Sequence, residues 1–109
     1  KNLTYKEDDV KISFVLDTRL NNSIVPFVKN SNILICEAAY DSGLEKQAKE
    51  HLHLTSKQSA EIAKKSKSKK LILTHLSQRY ESNPKFILSE AQKIFKNSVL
   101  AKDLDVFEI

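Results

Sequence analysis

The chain has no tryptophan and no methionine, and only one glycine, one cysteine and two prolines in 109 residues. Each shortage narrows the field. With Cys36 alone, no disulfide can form within the chain, and a reducing, cytoplasmic compartment is the natural home. No apolar run approaches membrane-spanning length and no signal peptide is visible, so no membrane partner is expected. The chain opens at Lys1 without a methionine and closes on the strand-like Val106-Phe107-Glu108-Ile109. Both ends lead us to expect the C-terminal piece of something longer.

Charge is ordinary at 29%, and the formal net charge of +4 tolerates a polyanionic partner without demanding one. Hydrophobic content is slightly low at 40%. A chain of this length is one domain or part of one. It can bury roughly 60–65% of its unfolded surface, enough for a modest core.

What is present centres on Leu71-Ile72-Leu73-Thr74-His75-Leu76-Ser77-Gln78-Arg79-Tyr80. A short apolar run after a lysine-rich helix end reads as a buried strand. Its tip then delivers a histidine, a serine, an arginine and a tyrosine. Function concentrates on loops held by a rigid scaffold, although His75 alone could equally satisfy a loop carbonyl.

The rest of the chain follows an α/β pattern. Lys1 to Asp9 is polar and reads as a connector. Val10 to Leu16 reads as a strand that stops at Asp17, before the turn-prone Asn21-Asn22-Ser23. Asp17 is then either a turn cap or a metal or catalytic carboxylate. Ile24 to Val28 predicts a short helical turn, and Asn32 to Cys36 a second strand ending in Glu37. Cys36, inside that apolar run, reads as core rather than as a soft metal ligand. Leu44 to Glu50 predicts a short polar helix. In the extended backbone expected after it, His51 and His53 point the same way and could chelate a metal. Thr55 or Ser56 can cap a helix over about 57–66. The basic run Lys64-Lys65-Ser66-Lys67-Ser68-Lys69-Lys70 suits a helix C-terminus or, as an alternative, a phosphate backbone. Asn83-Pro84 starts an amphipathic helix carrying Ile87, Leu88, Ala91, Ile94 and Phe95, with Asn97 ending it. Ser98 to Ala101 and Leu104 to Ile109 read as two short strands, with Lys102-Asp103 at the turn. The expected order is β, β, α, β, α, β, β, with Asp17, Glu37, His53 and His75 presented at strand tips.

An aspartate and histidines on separate strand tips can converge on one sheet edge. Binuclear hydrolase sites need that arrangement: bridging carboxylates and imidazoles hold divalent ions, which activate water and take up charge at a phosphoryl group.

Four blocks of the sequence also carry a family likeness: Leu16-Asp17-Thr18-Arg19, Cys36-Glu37-Ala38-Ala39-Tyr40, His53-Leu54-Thr55 and Leu73-Thr74-His75-Leu76-Ser77-Gln78-Arg79-Tyr80. Together they resemble the C-terminal part of ribonuclease Z, the tRNA 3′-processing endonuclease family of the metallo-β-lactamase superfamily. Ser89-Glu90-Ala91 and Leu100-Ala101-Lys102-Asp103 also sit where that family has a Glu-Ala helix and an Ala-Asp turn. Leu16 stands where the family has glycine, and Cys36 and Ala39 stand for its histidine and threonine.

The resemblance implies an α/β fold, the C-terminal half of a metallo-β-lactamase-type αββα sandwich, spanning residues 1–109 as part of one domain. It implies removal of the 3′ trailer from precursor tRNA by two-metal phosphodiester hydrolysis. Zinc would be the cofactor, two ions per complete site, with manganese or another divalent ion as a substitute. Asp17 would bridge the ions and His75 would ligate one. His53 would donate a proton to the leaving 3′ oxygen, oriented by Glu37. Arg79 and Ser77 would contact the substrate, Arg79 offsetting phosphate charge as a planar bidentate donor can. A homodimer is implied for the complete protein.

The superfamily's His-x-His-x-Asp-His motif lies outside this chain, so the isolated 109 residues are expected to bind zinc poorly and to be inactive. His51-Leu52-His53 imitates the start of that motif without the Asp-His that should follow, and His51 is taken as surface. The alternatives are another hydrolase of the same fold, or a non-catalytic basic module that binds nucleic acid through its lysines.

Overall fold

The computed structural model describes residues 2–7 and 10–101. Five strands form one sheet in the order β1 (Asn2–Glu7), β2 (Val10–Val15), β3 (Ile33–Glu37), β4 (Lys70–Thr74), β5 (Ser98–Leu100). β1 and β2 pair antiparallel, and β2 to β5 are parallel. Helix α1 (Ile24–Val28) joins β2 to β3. The pair α2 (Glu45–Glu50) and α3 (Ser56–Lys65) joins β3 to β4, and α4 (Lys85–Gln92) joins β4 to β5. Strands that follow one another in sequence order through right-handed crossovers keep their helices on one face. In agreement, α3 packs on α1, α4, β3 and β4.

Register explains the core. Val15, Cys36, Leu73 and Leu100 form one row across the parallel strands, and Ser13, Leu34, Leu71 and Ser98 the next on the same face. Most of these side chains join Ile24, Val28, Ala60, Ile62, Ala63, Ile87 and Ala91 in the buried cluster beneath the helices. Successive strand residues face opposite ways, so Phe14, Ile35, Ile72 and Val99 share the other face with Ile12 and Ile33. That face is apolar too, as expected of a sheet layered on both sides.

Several sequence expectations change. Asn2–Glu7 is not a connector but strand β1. Its Thr4 hydroxyl meets that of Ser13 at 3.3 Å. The element order among the described residues is ββαβααβαβ. α4 ends at Gln92, not Asn97; Ile94 and Phe95 still reach the core, but from the turn leading into β5. The strand expected over 104–109 and the turn at 102–103 lie outside the described residues. Thr55, rather than Ser56, caps α3: its hydroxyl accepts from Gln58 N at 3.1 Å, and Gln58 Oε1 accepts from Thr55 N at 3.0 Å.

Scarce glycine has a structural consequence. Five non-glycine residues among those described take the left-handed conformation: Asp17, Asn30, Leu52, Lys67 and His75. Lys67 closes α3 in the turn that glycine usually fills, with Lys67 N bonded to Lys64 O and Ser68 N to Ala63 O. Its side chain is exposed. Lys67→Gly should therefore raise stability by about 1 kcal/mol, since the left-handed penalty for a side chain outweighs the entropy glycine loses. The check is a higher urea midpoint at unchanged m-value.

Candidate active site

Parallel strands direct their C-terminal ends to one edge, where open α/β sheets build their sites. Asp17 lies two residues past β2, Glu37 is the last residue of β3, and His75 directly follows β4. The structure brings these three together: one ligand atom of each lies within 4.8 Å of the others. Asp17 and His75 are exposed, and both hold left-handed backbone, at φ 54° and 56°. Strained backbone of this kind clusters at functional positions.

Glu37 is wholly buried and fully engaged. Its Oε1 accepts from Asp17 N. Its Oε2 accepts from His53 Nδ1 at 2.7 Å and from Leu54 N at 3.1 Å. A buried carboxylate needs such donors. Glu37 thus ties the end of β2 and the turn after α2 to the end of β3. The bond at Nδ1 leaves His53 Nε2 as the ring nitrogen without a partner among the described residues, an acceptor in the neutral ring and a proton donor in the charged one.

The donor set can be tested against a divalent ion. A carboxylate oxygen and an imidazole nitrogen are suitable ligands, and Asp17 and His75 present them to solvent. Glu37 has both oxygens committed to protein donors. Asp17 and His75 therefore fit two positions of a four-coordinate zinc shell and leave the rest to other residues.

His53 is not at a strand tip, and it does not chelate alongside His51. α2 closes through left-handed Leu52, with His53 N bonded to Ala48 O at 2.7 Å. This turn replaces the expected extended segment and leaves His51 exposed at the helix end while His53 folds in to Glu37. Cys36 is core, as expected. Burial pushes its thiol up to about 12, partly offset by the bond to Ser59 Oγ, so it stays neutral and unavailable to metal.

Sequence reasoning missed the framework around these groups. The segment Ala38-Ala39-Tyr40 runs between two loops: Ala38 N bonds Thr74 O, Ala39 N bonds Leu54 O, Ser56 N bonds Tyr40 O and Ser77 N bonds Ala39 O. The Tyr40 ring meets His53 edge-on at 6.2 Å, and the Arg79 guanidinium lies 5.3 Å from the centre of the same ring. Tyr40 so sets Arg79 near His53. The hydroxyl of Ser77, expected at the substrate, accepts from Arg79 N at 3.4 Å and caps the Gln78–Tyr80 turn. The Tyr80 hydroxyl donates to Asp41 Oδ1 and accepts from Asp41 N at 2.7 Å. Burial, then that donated bond, pushes Tyr80 up to about 12 and keeps it a neutral donor. Glu90, on α4, accepts from Ser42 N at 2.8 Å, from Ser42 Oγ at 2.6 Å and from Ser56 Oγ.

This sheet, with acid and imidazole at its carboxyl edge, is the C-terminal half of a metallo-β-lactamase fold. A metallo-beta-lactamase fold protein from Bacillus subtilis superposes with a TM-score of 0.83 over 93% of this chain and 40% of its own, at 24% identity. The particular relatives are ribonucleases Z. Ribonuclease Z of Listeria monocytogenes is 43% identical over 99 residues, which is 90% of this chain and 32% of the relative. That of Treponema denticola is 43% identical over 94 residues, 85% of this chain and 30% of the relative. The short form of human tRNase Z superposes with a TM-score of 0.75 at 30% identity, over 97% of this chain and 37% of its own. No protein-family model matches the chain. The chain is thus homologous to ribonuclease Z across most of its own length, and it spans about a third of the length of the curated relatives it matches.

Proposed function

We propose that this chain supplies the C-terminal part of a metal-dependent endoribonuclease that removes the 3′ trailer of precursor tRNA. The observation that carries this reading is the pair of exposed residues Asp17 and His75, set beside the buried Glu37 and the half-buried His53 it holds. Zinc, or manganese in its place, would be held by Asp17, His75 and ligands outside this chain, and would supply an activated water and charge neutralisation at the phosphodiester.

The chain's own residues do the rest. Glu37 fixes the His53 ring through Nδ1, so that Nε2 delivers a proton to the leaving 3′ oxygen. Arg79, steadied on Tyr40, offsets charge on the phosphate. The second apolar face of the sheet, with Phe14, Ile35 and Val99, suits a facing sheet from the remainder of such a domain. The buried free thiol of Cys36 suits the cytoplasm. In the complete protein we take the assembly to be a homodimer.

The test is cleavage of a 3′-extended precursor tRNA by the complete protein with zinc or manganese. One chelator-sensitive cut after the discriminator base, leaving a 3′ hydroxyl, is the expected result. His53→Ala should lower kcat by about 10²–10⁴ with metal content retained, the span that general acid catalysis contributes. No cut, or scattered cuts in any RNA, moves the function to another hydrolase of this fold. Normal cutting by both His53→Ala and Arg79→Ala overturns the role assignments.

A further inference from the structure

A groove of about 420 Å³ opens beside His53, lined by Leu20, Glu45, Lys46, Lys49 and Gln58 in addition to the histidine. Its composition is not that of an ordinary solvated face. Lys46 and Lys49 stand three apart on α2 and so share a side of the helix, both exposed. Leu20, three residues past Asp17, is half exposed at 50% and forms an apolar wall. The one acid, Glu45, accepts from Gln58 Nε2 at 3.2 Å, and Gln58 in turn accepts from Thr55 N. That bond holds the carboxylate toward the cap of α3, and the two ammonium groups outnumber it, so the groove carries a net positive charge.

A nucleotide has the matching parts: a flat apolar base and a phosphodiester. A strand cut at His53 must also leave the reacting position along some surface, and this groove begins at that residue. We infer that the groove is the subsite for the nucleotide adjoining the cut, its phosphate held by Lys46 and Lys49 and its base laid against Leu20. Lysine suits the task as a mobile point charge that follows a backbone without fixing its sequence. The inference rests on the proposed nuclease reading and adds to it where the single strand runs. It also predicts indifference to the identity of that base, since nothing lining the groove except His53 and Gln58 offers a directional side-chain donor near the apolar wall.

The experiment compares the complete protein with its Lys46→Gln/Lys49→Gln variant by two readouts. The first is fluorescence anisotropy of a labelled single-stranded RNA carrying the trailer sequence, followed across salt concentration. Losing the one phosphate contact that the two lysines share should lower the slope of log affinity against log salt by about 0.7. The second is precursor cleavage, in which KM should rise about tenfold while the cut stays at the same bond. Leu20→Ala should weaken binding without altering the salt slope. Both lysines are exposed on a short helix, so an unchanged thermal melt is the control for folding. If affinity and salt slope match the parent protein, the subsite is overturned, whether or not the parent cleaves. If the slope falls as expected but the parent cleaves no precursor tRNA, the groove stands as a single-strand site and the nuclease reading fails instead.

Discussion

Glu37→Ala is expected to cost about 3–5 kcal/mol, the range for removing one partner from a buried, charge-assisted network. Most domains of this size have only about 5–15 kcal/mol in all. The cost comes from stranded polar groups. Glu37 is wholly buried, and its two oxygens satisfy Asp17 N, Leu54 N and His53 Nδ1. Alanine leaves both N–H groups and the ring nitrogen without this acceptor. It also leaves a cavity the size of the lost side chain. Glu37→Gln separates these causes. It keeps the volume and one oxygen, but it turns an amide N–H₂ toward donors, so a smaller loss of about 1–3 kcal/mol is expected. Urea unfolding of both variants measures the difference. An alanine cost under 1 kcal/mol would mean that the two loops hold their positions without the carboxylate. The same variants bear on chemistry, because a ring freed from Glu37 loses its orientation.

The site was legible in the sequence only where it stands on strands. Apolar runs of strand length announced β2, β3 and β4, so Asp17, Glu37 and His75 could be placed at their ends from the pattern alone. Parallel topology then delivered them to one edge. His53 was harder. It sits beyond a helix-closing turn whose usual marker, glycine, is replaced by Leu52, and so the segment read as extended. β1 escaped notice for a different reason. Leu3 and Tyr5 are its only apolar residues in a charged stretch, and so short an alternation carries little signal. The bonds among Asp41, Ser42, Ser56, Tyr80 and Glu90 were invisible because they join residues 34 to 48 positions apart. No local pattern records such pairs; only the completed sheet brings α4 and the loop after β3 together. Tyr40 belongs with them, since its value lies in what it touches, His53 on its edge and Arg79 over its face.

Replacing Asp17 or His75 by glycine should abolish metal-dependent function and yet stabilise the metal-free protein. Both side chains are exposed, and no hydrogen bond described here depends on either; the one from Asp17 to Glu37 uses its backbone N–H. Each nonetheless holds φ near 55°, a conformation that costs an L-residue about 1–2 kcal/mol and costs glycine little. The expected gain is about 0.5–1 kcal/mol for each glycine variant, more for His75 than for Asp17, because aspartate tolerates this region better. Alanine at the same positions keeps the steric penalty and loses the polar side chain, so Asp17→Ala and His75→Ala should be neutral or slightly destabilising. For metal, the two substitutions are equivalent. Loss of a direct ligand should weaken binding by more than about a hundredfold, the upper end of what losing a mere supporting partner costs. Glycine and alanine variants should therefore agree in metal titration and part company in urea unfolding. Equal stability in the two series would show that the backbone at the strand ends is relaxed. Retained metal affinity would show that Asp17 and His75 are not the ligands. The combination expected here, stability up and metal lost, would mean that the sheet edge holds two ligands in a conformation the fold alone would not choose, the cost being offset by the chemistry of the side chains.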